Sequence, residues 1–164
     1  MIKIVQVNVN DQVLRQKAKE VPKEEIGTEK LNKILAEMNT ALNAEEDGVA
    51  IAAPQIGVPL RIFIVSRKAL PGDRENNIVF INPVLKKLSA ERSKMEEGCL
   101  SVRWIYGETK RANTAQVEAY NEKGHKFVRT GKGLLAQIFQ HETDHLEGIL
   151  FIDKAKNLKE VPPE

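Results

Sequence analysis

Two histidines four residues apart, with a glutamate directly after the first, occur in Gln140-His141-Glu142-Thr143-Asp144-His145. On a helix, residues i and i+4 share a face, so both imidazoles reach a single ion. The neighbouring glutamate can then take a proton from water that the ion acidifies, which is the chemistry of a metal-dependent hydrolase. With His141 at zero on a wheel of about 100° per residue, His145 falls at roughly 40° and Glu142 at roughly 100°. Leu134, Ile138 and Leu135 fall at about 20°, 60° and 120° on the same wheel. Both histidines and Glu142 therefore lie on the apolar side of the helix, where burial is costly unless an ion and its water satisfy them. Gln140, Thr143, Asp144 and Glu147 are expected on the opposite side, away from the core. Asp144 there is either an ion-pair partner of the site or a plain surface charge.

A hydrolytic ion usually has three protein ligands and one open position. The helix does not supply the third. Glu147 faces the wrong way, and Asp153 is the other acidic candidate downstream. His125, the remaining histidine, sits in the polar turn Lys123-Gly124-His125-Lys126 and is expected to be exposed and inert. Cys99, the only cysteine, lies in Glu96-Glu97-Gly98-Cys99-Leu100-Ser101. A soft thiolate would complete a tetrahedral site, but a lone cysteine also serves as a small buried hydrophobe. Upstream, Gly48-Val49-Ala50-Ile51-Ala52-Ala53-Pro54-Gln55-Ile56-Gly57 is too poor in charge for a surface loop and lacks the lysine of a phosphate-binding loop. By itself it suggests a tightly packed connection with Gln55 exposed.

These segments need elements to position them. Lys30 to Leu42 has apolar residues at 31, 34, 35, 38, 41 and 42, the period of an amphipathic helix. Leu60 to Val65 predicts a strand, and Ile78 to Ile81 another that Asn82-Pro83 closes, with a loop at Pro71-Gly72-Asp73. Thr114 to Tyr120 alternates and turns through Asn121-Glu122-Lys123-Gly124 into a run near Phe127-Val128, a hairpin. Leu134 to Leu146 is the motif-bearing helix, and Gly148 is placed to end it. The tail from Val161 to Glu164 is expected to fray. Many short strands with two or three helices imply an α+β fold, with mixed, mostly antiparallel sheets packed around the helix that carries the motif.

The 164 residues suffice for one domain spanning 1–164, large enough to bury a core without disulfides or structural metal. A net charge of +2 gives no argument for nucleic-acid or membrane attraction. No targeting segment or apolar run of membrane-spanning length is expected. A single thiol excludes an internal disulfide and suits a reducing cytoplasm.

Taken together and in order, GVAIAAPQIG, EEGCLS and QHETDHLEG closely resemble the three signature motifs of peptide deformylases, over about 100 residues from Gly48 to Gly148. The absence of a large insertion between 66 and 95 resembles the bacterial type. The resemblance implies a cytoplasmic enzyme that hydrolyses the N-terminal formyl group from formyl-methionyl nascent peptides and releases formate. It implies transient association with the ribosome, and one divalent ion, natively Fe(II), with zinc, nickel or cobalt as substitutes. Carried over by position, Cys99, His141 and His145 would be ligands and Glu142 the general base and acid. Gln55 and the backbone N–H of Leu100 would form the oxyanion hole. Peptide binding would be strand addition, with backbone groups near Gly48, Val49, Ala50 and Gly98 pairing with an extended substrate. Leu134, Ile138 and Ile51 would wall the pocket for the first side chain, a methionine.

Three positions depart from the family's pattern. Ala50 stands where a second glycine is usual, Val102-Arg103-Trp104 lacks a proline common after the aliphatic residue, and Asn8 to Gln12 lacks a proline often seen there. The departures bear on the rim of the site and on fold details, not on a proposed ligand, base or oxyanion donor. A zinc metallopeptidase using the same helix is the alternative function. A homologue without catalysis is a further one, and an intact Glu142, Gln55 and ligand set argues against it.

Overall fold

The computed structural model describes residues 2–72 and 74–164, so Asp73 of the expected loop lies outside the described residues. Among the described residues three α-helices form: α1 (Gln12–Arg15), α2 (Glu29–Asn43) and α3 (Leu134–Leu146). Strands β1 (Ala50–Ala52), β2 (Ile62–Val65), β3 (Ile78–Leu88), β6 (Thr114–Tyr120) and β7 (Lys126–Lys132) make one sheet in the order β1-β2-β3-β6-β7. Strands β4 (Arg92–Cys99), β5 (Val102–Ala112) and β8 (Lys156–Glu160) make a second in the order β4-β5-β8. Neighbouring strands in both sheets run antiparallel, so the fold is the α+β type that the sequence predicts.

Strand alternation decides which helix each residue meets. In β2, Phe63 and Val65 join Phe80, Val117 and the α3 residues Leu135, Ile138 and Phe139 in one core. Ile62 and Ile64 point the other way, into a core with Leu31, Leu35, Met38 and Leu42 of α2. The five-stranded sheet thus carries α2 on one face and α3 on the other. The same parity governs β1, where Ala50 and Ala52 lie on the α3 side and Ile51 on the α2 side. Ile51, expected on a pocket wall, is fully buried in the α2 core instead.

Helix α3 is buried at eleven of its thirteen positions and touches strands of both sheets. The expected wet side is kept at Glu147, which is exposed, and at Asp144, which is half-buried, but Gln140 and Thr143 are buried. The Gln140 amide exchanges hydrogen bonds with Ala112, accepting from its N–H at 2.9 Å and donating to its carbonyl at 3.0 Å. Thr143 Oγ1 donates to Phe139 O at 2.7 Å. Gly148 ends the helix as expected, at φ +75°, and a Cβ there would meet Arg15 O at 2.6 Å.

Asn82-Pro83 does not close β3. Asn82 adopts φ +52° and trades hydrogen bonds with the N–H and carbonyl of Val21, both at 2.8 Å. The register with β6 shifts between Ile81 and Val84, so the pair makes a bulge that tolerates a proline. Strands β4, β5 and β8 were not expected, since charged and polar residues dominate β4, β8 and the second half of β5.

Candidate metal centre and substrate cleft

Strand β4 delivers Cys99 to the face of α3 that carries His141 and His145. One ligand atom from each lies within 4.8 Å of the others. Cys99 Sγ is 3.3 Å from His145 Nε2 and accepts from the Ser101 N–H at 3.4 Å. A register shift between Glu97 and Cys99 leaves Gly98 without a partner in β5. A Cβ at Gly98 would meet Tyr106 Cε1 at 2.6 Å, so only glycine lets the Tyr106 ring lie against the strand there.

Charges around the trio suit a cation. Burial would push His141 down, but Cys99 and Glu97 outweigh it and hold the imidazole well above its ordinary 6.5. The cluster thus draws positive charge to the place where an ion would sit. Burial, reinforced by the His141 charge, pushes His145 well below 6.5 and keeps it in the neutral form that ligates. An ion that displaces the His141 proton would find two imidazoles and a thiolate, a donor set for Fe(II), Zn, Ni or Co.

Glu142 is buried, and its Oε2 has no hydrogen-bond partner among the described residues. Burial pushes this carboxyl up to about 7, with His141 pulling it down and Glu97 and Asp144 adding to the rise. A carboxyl poised there can both accept and return a proton near neutral pH. Gln55, expected exposed if its segment is read alone, is buried. Its Oε1 accepts from the Ala52 N–H at 2.9 Å, which turns Nε2 toward Ser101 Oγ at 3.1 Å and Cys99 Sγ at 3.6 Å. The Leu100 carbonyl accepts from Gln6 Nε2 at 2.8 Å, which fixes the turn after the cysteine.

Sequence reasoning missed the charges that hold His141. Glu97 Oε2 lies 2.7 Å from His141 Nδ1, and Glu97 also accepts from Arg111, Thr109 and Gln137. Burial would raise the Glu97 carboxyl, but the hydrogen bonds from His141 and Arg111 outweigh it and hold it well below 4.5. Asp144 ion-pairs with Arg111 at 2.8 Å and Lys154 at 3.1 Å, which settles its role as an ion-pair partner. One signal was available: Glu97 stands two residues before Cys99, the spacing of a shared strand face.

A cleft of about 270 Å³ opens onto this centre. Of the expected residues, Gly48, Val49, Ala50, Gln55, Gly98, Cys99, Leu100, Leu134, Ile138, His141 and Glu142 line it, whereas Ile51 and His145 do not. The walls end in β1 and β4, each the outer strand of its own sheet. Val49 O accepts from the Ser66 N–H at 2.8 Å, so that carbonyl is committed to the sheet. By the alternation of an antiparallel ladder, the N–H and carbonyl of Ala50 then point to the open edge. His125 is exposed in its turn and takes no part.

An H-E-x-x-H helix with a cysteine packed beside both histidines, in an α+β fold, is the arrangement of a metal-dependent amide hydrolase. Residues 1–161 match the polypeptide deformylase family, and the chain belongs to it. It is 41% identical over 143 residues to peptide deformylase 2 of Clostridium acetobutylicum, covering 87% of this chain and 89% of that one. It is 39% identical over 158 residues to the peptide deformylase of Pelotomaculum thermopropionicum, covering 96% and 95%. A class I type b peptide deformylase from Acinetobacter baumannii, solved with Met-Ala-Ser bound, superposes with a TM-score of 0.84 at 30% identity, covering 94% of this chain and 98% of that one.

Proposed function

We propose that this cleft removes the N-terminal formyl group of newly made peptides through an ion held by Cys99, His141 and His145. The observation that carries the reading is Glu142, a buried carboxyl whose Oε2 has no partner among the described residues, next to His141 of that trio and open to the cleft. The bound ion supplies Lewis acidity and an open position for the attacking water. Glu142 accepts that water's proton and returns it to the leaving amine. Gln55 Nε2 and the Leu100 N–H donate to the formyl oxygen as negative charge grows on it. An extended peptide pairs with the open edge at Ala50 and with the unpaired backbone of Gly98. Ile138 and Leu134 wall the pocket for the first side chain. The formyl carbon bears only hydrogen, so a tight site excludes bulkier acyl groups.

Fe(II) is the native ion in this reading, with Zn, Ni or Co able to replace it. The substrates are formyl-methionyl nascent peptides met in the cytoplasm during transient contact with the ribosome, and residues 1–164 act as one catalytic domain. No helix among the described residues is long and apolar enough to cross a membrane. Formate release from a formyl-Met tripeptide, set beside cleavage of casein, tests the reading. Formate without casein cleavage supports it, whereas casein cleavage without formate would establish the zinc metallopeptidase alternative.

A further inference from the structure

The two departures Arg103 and Trp104 meet at the wall of the cleft. Arg103 Nη1 lies 3.2 Å from Asp47 Oδ2, and Nη2 binds the Glu45 carboxylate, both in the loop that leads into β1. Its guanidinium stacks 4.9 Å from the Trp104 ring centroid. Asp47, Arg103 and Trp104 all line the cleft. The acidic loop is fixed independently, because Lys68 Nζ donates to Glu45 O at 3.3 Å and Glu46 O at 3.0 Å. Arg103 is also tied to the turn after Cys99, since Gln6 accepts from the Arg103 N–H at 3.4 Å while donating to Leu100 O.

Trp104 adopts φ +68°, and every other described non-glycine residue with positive φ is an asparagine. Asparagine tolerates that region and an indole side chain does not, so the strain must be imposed by the surroundings. Two contacts hold the residue there: the Val161 N–H donates to Trp104 O at 2.7 Å, and the Arg103 guanidinium lies over the ring. Such strain concentrates where a fold clamps a ligand.

We propose that Arg103 is a positioning residue that sets substrate preference beyond the formylated residue. Its ion pairs strap the loop before β1 to the start of β5, and so hold the free edges of the two sheets at the spacing an extended peptide needs. The clamped guanidinium and indole form the wall along which the residues after the first one lie. A substrate that ends at its first residue gains little from this wall, and a longer peptide gains more. The proposal rests on the deformylase reading of the cleft.

The test compares metal-loaded wild type and Arg103→Ala on formyl-Met amide and on a formyl-Met tripeptide. The expected result is a KM about tenfold higher for the tripeptide, less than about threefold higher for the amide, and kcat for both within about twofold. Arg103→Lys should recover only part of the loss, because an ammonium cannot bridge two carboxylates and stack on an indole. Added salt should raise the wild-type KM for the tripeptide by screening these partly exposed pairs, and leave Arg103→Ala unmoved. Trp104→Gly, which relieves the positive φ and keeps the ion pairs, should also raise KM selectively for the tripeptide. Equal losses on both substrates, a fall in kcat alone, or no change would overturn the proposal. A wild type that releases formate from neither substrate would instead overturn the deformylase reading on which it rests.

Discussion

The five-stranded sheet meets α3 with Phe63, Val65, Phe80 and Val117, whereas the three-stranded sheet meets it with Glu97, which Thr109 braces, and Arg111. The first contact is apolar and holds the helix through buried area. The second is a buried ion-pair network, which contributes little net stability because desolvation offsets most of the attraction. Its geometry is specific, however: it fixes the ring of His141 and, through Asp144, the next turn of the helix. One side of α3 therefore keeps the fold, and the other orients His141, one of the three proposed ligands.

That division can be broken from either side. Phe139 is fully buried, with ring centroids 5.4 Å from Phe80 and 6.3 Å from Phe63. Phe139→Ala should cost about 3–5 kcal/mol of stability in denaturant unfolding, with metal affinity of the folded protein unchanged. A matching loss of metal affinity would show that the two sides are not separate.

The next effect lies in the pH dependence of stability. The folded Glu142 carboxyl stands at about 7 against an ordinary 4.5, so its contribution is fully present below about 4.5 and is lost as pH rises through about 7. Metal-free wild type should therefore lose up to about 3 kcal/mol relative to metal-free Glu142→Gln between pH 4.5 and 7.5. Glu97 has the opposite sign, since its lowered pKa stabilises above 4.5 and that contribution is lost on acidification. Urea unfolding of both proteins across this range measures the difference, and parallel curves would contradict the assignment.

Smaller still is Glu97→Gln. It removes the charge beside His141 and leaves Arg111 its second carboxylate, Asp144, at 2.8 Å. Metal affinity should fall about 10–100-fold, as for other groups that orient a ligating histidine. An unchanged affinity by metal titration would show that the network is structural only.

The apolar half of this plan was legible in the sequence, and the polar half was not. Helices α2 and α3 and the β6–β7 hairpin announce themselves by period. Strands β4 and β5 do not, because their inward positions mix polar residues such as Ser93, Glu97, Thr109 and Arg111 with apolar ones, which hides the alternation. Glu97 and Arg111 are fourteen residues apart and meet only through the pairing of those strands. Ile51 was placed on the wrong wall because β1 is three residues long, and its face follows from the register with β2. Gln140 looked solvated because a helical wheel cannot show a second sheet, whose Ala112 its amide meets. The grouping of Cys99, His141 and His145 beside Glu142 could be read without knowledge of the polar scaffold, because spacing and resemblance nominate those residues.

In the proposed reaction Cys99, His141 and His145 hold the ion while Glu142 moves the proton. Metal content and formate release, measured on one preparation of Glu142→Gln, test it most directly. Full metal occupancy should accompany a kcat lower by about 10²–10⁴-fold. Near-normal formate release at full occupancy, or loss of the ion itself, would contradict it.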